Sequence, residues 1–127
     1  LLTIRRNALM ESNKIEDKQI NRLKALSDYL FQIDDEFPAR DLKYLLWLYQ
    51  HDIGDGVPMS EFRTFSGLPG TTIRRFTLFY SGTMRRCRKI KTNWLTCKRD
   101  PGNDVKKTIR LTKEGRRAVE QILETLE

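Results

Sequence analysis

The chain is 127 residues long, with 32% charged residues, 9% aromatic residues and a formal net charge of +7. That length suits one domain with one core, and the composition excludes a disordered or low-complexity chain. No apolar run approaches the ~20 residues needed to span a bilayer, Leu1 to Arg6 does not read as a signal peptide, and two cysteines, Cys87 and Cys97, are too few for a disulfide scaffold.

Residues 1–13 are polar and read as a flexible N-terminal arm, leaving 14–127 as one folded domain. Ile20, Leu23, Leu26, Leu30 and Ile33 recur at steps of three and four, which predicts an amphipathic helix over 15–33. Asp34, Asp35 and Glu36 follow as a helix end and loop, and Pro38 marks a break. A second helix is predicted over 39–51, with Leu42, Leu45, Leu46 and Tyr49 inward and Trp47 and Leu48 widening that face. Gly54-Asp55-Gly56 ends it. Ser60 is the expected cap of a short third helix carrying Glu61, Phe62 and Phe65 and stopping at Gly67. After Leu68-Pro69-Gly70 a fourth helix starts near Thr71, with Ile73, Phe76 and Tyr80 on one side.

From 81 to 93 two readings stay open. Ser81-Gly82 breaks the chain and Thr83 caps a further basic turn, or the fourth helix continues through Gly82 at about 1 kcal/mol relative to Ala. Strands over 94–98 and 106–111 flank the turn formers Asp100-Pro101-Gly102-Asn103-Asp104, which predicts a β-hairpin. A last helix follows Thr112 as cap, with Val119, Ile122, Leu123 and Leu126 on its apolar face. The fold class is mainly α with a small β-hairpin, in the order ααααββα.

The positive charge is concentrated. Segment 84–117 holds thirteen basic and three acidic residues, whereas 1–83 holds eleven of each. Such clustering is the footprint of a polyanionic partner and makes binding salt-dependent; without other signals it is also compatible with a solvated face. A short helix, a Gly-containing turn, a second helix and a basic hairpin together form a winged helix-turn-helix. A B-DNA major groove admits one helix. With Ile73, Phe76 and Tyr80 inward, Thr71, Thr72, Arg74, Arg75 and Thr77 are expected to point outward toward bases and phosphates. Lys98, Arg99, Asn103, Lys106 and Lys107 on the wing are expected to meet the flanking backbone or minor groove. Arg85, Arg86, Arg88, Lys89 and Lys91 form a basic insert that reads as a second backbone grip.

Three stretches resemble the MarR family of transcriptional regulators. Met59-Ser60-Glu61-Phe62 resembles the start of its first motif helix, and residues 67–75 resemble its turn and recognition helix. Asp100-Pro101, followed at the family's spacing by Ile109-Arg110-Leu111-Thr112-Lys113-Glu114-Gly115-Arg116, resembles its wing. The resemblance spans about Asp41 to Glu120 and implies a homodimeric DNA-binding repressor or activator, often tuned by a small-molecule effector. The sequence departs from the family where Asp104 and Val105 stand in place of a wing-tip arginine, in a longer 77–93 segment and in a short C-terminal region.

His51 has no ligand-spaced partner, and no nucleophile–base pair, phosphate loop or carboxylate pair emerges. The expectation is therefore a cytoplasmic, nucleoid-associated binding protein with no enzymatic activity, cofactor, metal or membrane partner. Cys87 and Cys97 lie in basic surroundings that favour thiolate, yet read as structural or incidental. The apolar stripes of the first and last helices serve either a dimer or the monomer core, and a homodimer suits two half-sites. Two alternatives keep the fold: a DNA-architectural, plasmid or phage replication or partition protein, and a protein-interaction winged helix.

Overall fold

Five helices and three strands follow one another in the computed structural model, which describes the backbone of residues 2–82, 92–100 and 103–127 and the side chains of 17–82, 92–98 and 107–127. They are α1 (Leu2–Ile33), α2 (Ala39–His51), β1 (Val57–Pro58), α3 (Met59–Ser66), α4 (Gly70–Tyr80), β2 (Leu95–Asp100), β3 (Asn103–Leu111) and α5 (Lys113–Glu124). The sheet is antiparallel in the order β1-β3-β2, with Val57 and Cys97 both opposite Ile109 and Leu95 opposite Leu111. β1 is too short to carry a detectable period, which is why the sequence did not announce it. It lies on an edge, where Pro58 withholds no ladder hydrogen bond from a second neighbour.

Among the described residues every element contributes to the core, α1 through Ile33 and β1 through Val57. Leu45, Leu48, Phe62, Tyr80, Leu95, Ile109 and Val119 are completely buried. Each such side chain contributes roughly 1.5–3 kcal/mol through removal from water.

Several boundaries differ from the sequence reading. α1 begins at Leu2, so a helix replaces the expected arm over its length. Residues 2–14 contain no Gly or Pro, and Ala8, Leu9, Met10 and Glu11 favour helix. Among the described side chains of α1, from residue 17 on, only those toward its end are anchored: Ile33 is buried and Leu26 and Leu30 are half-buried, while Ile20 and Leu23 are 49% and 59% exposed. The inward face of α2 is rotated, with Asp41, Tyr44, Leu45 and Leu48 buried and Leu42, Leu46, Trp47 and Tyr49 only half-buried. α3 starts directly after Pro58 with no side-chain cap, so Ser60 lies inside the helix rather than capping it. α4 ends at Tyr80, and Gly82 has φ +79°, so of the two readings the break is the one observed. On α5, Val119 and Ile122 are buried but Leu123 is 38% exposed, and Leu126, which falls beyond the end of the helix, is 39% exposed.

The entry to α5 matches its sequence signal. The Thr112 hydroxyl accepts from the Gly115 N–H at 3.0 Å, satisfying one orphan donor of the first turn. Gly115 packs directly on the main chain of Trp94, and a methyl group there would run into the Trp94 carbonyl.

Candidate nucleic-acid interface

Aromatic packing holds α4 in place. Phe76 stacks on Phe62 at 5.7 Å between centroids and meets Tyr44 edge-on at 5.7 Å. Tyr80 stacks on Trp94 at 5.6 Å. Such ring pairs add about 0.5–1.5 kcal/mol each beyond their area. The Tyr80 hydroxyl donates to Asp41 Oδ2 at 2.7 Å, tying the last turn of α4 to the first turn of α2. The Trp94 N–H donates to the Tyr80 carbonyl at 2.6 Å, and the Trp94 carbonyl accepts from the Thr112 N–H at 2.9 Å. Main-chain bonds at Trp94 therefore join the end of α4 to the start of α5.

The turn before α4 follows from its residues. Gly67 closes α3 in the left-handed region at φ +66°, and its N–H donates to the Arg63 carbonyl at 2.9 Å. Pro69 then precedes the first residue of α4, and its carbonyl accepts from Thr72 and Ile73 at 3.1 Å each.

This anchoring decides which α4 side chains face out. Thr71, Arg74 and Arg75 are exposed and Thr72 is half-buried. Thr77, expected to point outward, is instead buried, and its hydroxyl donates to the Ile73 carbonyl at 3.0 Å. Position 77 lies one turn beyond Ile73 and so shares its inward face. On the wing strands, Lys98 is exposed and Lys107 is half-buried. Arg99, Asn103 and Lys106 lie on β2 or β3, with side chains outside the described set. Arg85, Arg86, Arg88, Lys89 and Lys91 lie outside the described residues.

Asp52, which no sequence motif singled out, fixes the base of the wing. Its Oδ1 accepts from the N–H groups of Gly54 and Gly56 at 2.9 Å each, and its Oδ2 from Leu111 N–H on β3 at 2.9 Å. Arg116 on α5 places Nη2 3.4 Å from Oδ1 and also donates to the Asp52 carbonyl. Burial pushes the Asp52 carboxyl up, but the backbone donors and the Arg116 charge outweigh it, and its pKa lies below the ordinary carboxylate value. One carboxylate thus connects the end of α2, the wing and α5.

Two clefts flank α4. One, of about 270 Å³, lies between α3, α4 and the wing strands and brings Arg63, Arg74 and Lys107 together beside Met59, Ile73 and Cys97. No carboxylate is among its described lining residues. The other, of about 310 Å³, is lined by Arg40, Asp41, Thr72, Arg75, Phe76 and Phe79. Arg40 and Arg63 escaped the sequence reading because they lie outside α4 and the basic segment, joining the surface only once the helices pack.

Among the described residues no group of three or more His, Cys, Asp or Glu is placed to hold a metal ion. His51 stacks on Trp47 at 4.3 Å, and its Nδ1 donates to the Trp47 carbonyl at 2.9 Å. Among these residues no helix is long and apolar enough to cross a membrane.

A short helix, tight turn, exposed helix and hairpin wing on this framework define a winged helix-turn-helix fold. The crystal structure of the S. aureus MepR–DNA complex is similar to this chain at 17% sequence identity and a TM-score of 0.56, over 91% of this chain and 78% of that one. RV1404 from Mycobacterium tuberculosis is similar at 16% identity and a TM-score of 0.55, over 98% of this chain and 72% of that one. No family model and no curated protein sequence matches the chain.

Proposed function

We propose that this protein is a homodimeric, sequence-specific transcriptional regulator that binds double-stranded DNA without catalysing a reaction. The observation that carries this reading is the union, in one cleft, of Arg74 from the exposed face of α4 with Lys107 from the wing. An exposed helix and a cationic wing side by side fit a major groove and its adjacent backbone. The structure of MepR, similar in fold, was solved as a complex with DNA, which supports the same use here.

In this reading Thr71, Thr72, Arg74 and Arg75 work at the major groove, on base edges or phosphates, while Lys98, Arg99, Asn103, Lys106 and Lys107 hold the backbone. The insert residues Arg85, Arg86, Arg88, Lys89 and Lys91 add charge to that grip. Dimerisation is supported by the exposed Ile20 and Leu23 on α1, the exposed Leu123 on α5 and the exposed Leu126 just beyond it. Isolated helices are marginal in water without a packed face, and a two-fold assembly presents two recognition helices to two half-sites. An effector has room in the apolar groove of about 660 Å³ beside Leu42, Leu46, Trp47, Phe65 and Leu123.

Selection of bound sequences from a random duplex pool, followed by footprinting, tests this function. The expected result is one short palindromic site bound with steep salt dependence. Failure to retain any duplex at low salt overturns the reading.

A further inference from the structure

We infer that Arg40 and Arg63 each hold a backbone phosphate of duplex DNA, on opposite strands, so that α4 is clamped against both walls of the major groove. The inference rests on the DNA-binding function proposed above and adds two residues from outside the recognition helix and the wing.

Successive helical residues are about 100° apart around the axis. Arg74 and Arg75 therefore diverge, and each lines a different cleft beside α4. Arg74 shares its cleft with Arg63 and Lys107, and Arg75 shares the other with Arg40. An α-helix with side chains is roughly 10–12 Å across, close to the roughly 12 Å width of the major groove. A helix seated there has one phosphate backbone on each flank, and cations beside its two flanks reach different strands.

Both arginines are free to make that contact. Each is exposed. The Arg63 guanidinium lies 3.4 Å from the point a Gly70 side chain would occupy, so the absent side chain at Gly70 leaves it room against the first turn of α4. Arg40 Nε lies 3.8 Å from Asp41 Oδ1, and the Arg40 side chain is 60% exposed. A guanidinium carries five N–H donors, and a single distant carboxylate oxygen leaves donors for a phosphate, which arginine binds with two parallel hydrogen bonds.

The test uses the full chain and its selected duplex. Arg40→Gln and Arg63→Gln should each reduce the slope of log affinity of the dimer against log salt by about 1.8, the value for two released phosphate contacts on B-DNA, one from each protomer. The double variant should lose both increments, and the lysine variants should keep the wild-type slope. Neither glutamine variant should change base preference in the selected pool or the thermal unfolding midpoint. Uncharged methylphosphonates placed symmetrically in the two half-sites, on one two-fold-related strand of each, should abolish the effect of one substitution and leave the other intact, with the converse for the other strand of each half-site. Wild-type slopes in both glutamine variants overturn the clamp while leaving DNA binding in place. Sensitivity of both variants to the same strand within a half-site overturns the two-wall arrangement. If the wild-type chain binds no duplex at low salt, the clamp falls together with the function it rests on.

Discussion

The Tyr80 hydroxyl and the Asp41 carboxylate meet at 2.7 Å in the buried core, 39 positions apart in the chain. Asp41 lies in the first turn of α2, where the helix dipole favours a negative charge, and Tyr80 is the last residue of α4. The bond thereby locks the far end of the exposed helix against the central one. Tyr80→Phe keeps the ring packing and removes the donor. Because hydrogen bonds to charged groups contribute about 1.5–3 kcal/mol, the urea unfolding midpoint should fall by a corresponding amount. An unchanged midpoint would show that the bond does not stabilise the fold.

Asp52 makes stability depend on acid. Its folded-state pKa is lowered from 3.8. A lowered carboxylate pKa stabilises the fold above the unfolded value, and that contribution disappears as pH falls through the folded value. Unfolding free energy should therefore drop as pH goes below about 5 and continue dropping below 3.8. Asp52→Asn should flatten this step in a urea titration across pH 2–6, and should lower stability at neutral pH by about 1–3 kcal/mol. An acid limb as steep in the variant as in the wild type would assign the step to other carboxylates.

Gly115→Ala probes the close approach of α5 to Trp94. The added methyl meets main chain rather than a side chain that could swing aside. Overpacking of this kind costs about 1–3 kcal/mol, although alanine is the better helix former. A net loss of thermal stability is expected, and a gain would show that the α5 entry shifts freely.

Arg75→Ala and Thr77→Val separate the outward face of α4 from its inward face. If Arg75 reads a base, its loss should cost about 1–3 kcal/mol on the selected site and relax base preference there. Thr77 is buried and its hydroxyl serves the Ile73 carbonyl, so Thr77→Val should leave DNA affinity unchanged. Competition binding against a scrambled duplex measures both. A Thr77 variant that loses affinity while keeping its fold would reverse the assignment.

Leu23→Asp places a charge on the exposed apolar stripe of α1, at a position 59% exposed in the single chain. A homodimer built on that stripe should dissociate, and sedimentation equilibrium should then report one chain mass instead of two. Retention of the dimer would move the interface elsewhere, with Leu126, just beyond α5, the next position to charge.

Much of the framework was legible because it is local. The break at Pro38, the bounds of α2, the turn at Gly67-Leu68-Pro69 and the Thr112 cap follow from backbone preferences that act within a few residues. The hairpin was legible from its turn residues, although β2 and β3 extend further than the apolar pattern suggested. The order of helices, tight turn and wing, together with the charge concentrated over 84–117, was sufficient to point to a winged helix-turn-helix and a polyanionic partner.

Tertiary structure alone decided how those pieces share a surface. Rotation of α2 onto Asp41 and Tyr44 depends on Phe62, Phe65 and Phe76 arriving from α3 and α4. Asp52 bonds to Leu111 across 59 positions and to Arg116 across 64. Local periodicity cannot encode partners at such separations. It records that a residue is apolar or polar at a given spacing, whereas the neighbours that bury Thr77, or bring Arg63 and Lys107 into one cleft, exist only after the helices and sheet close around a common core.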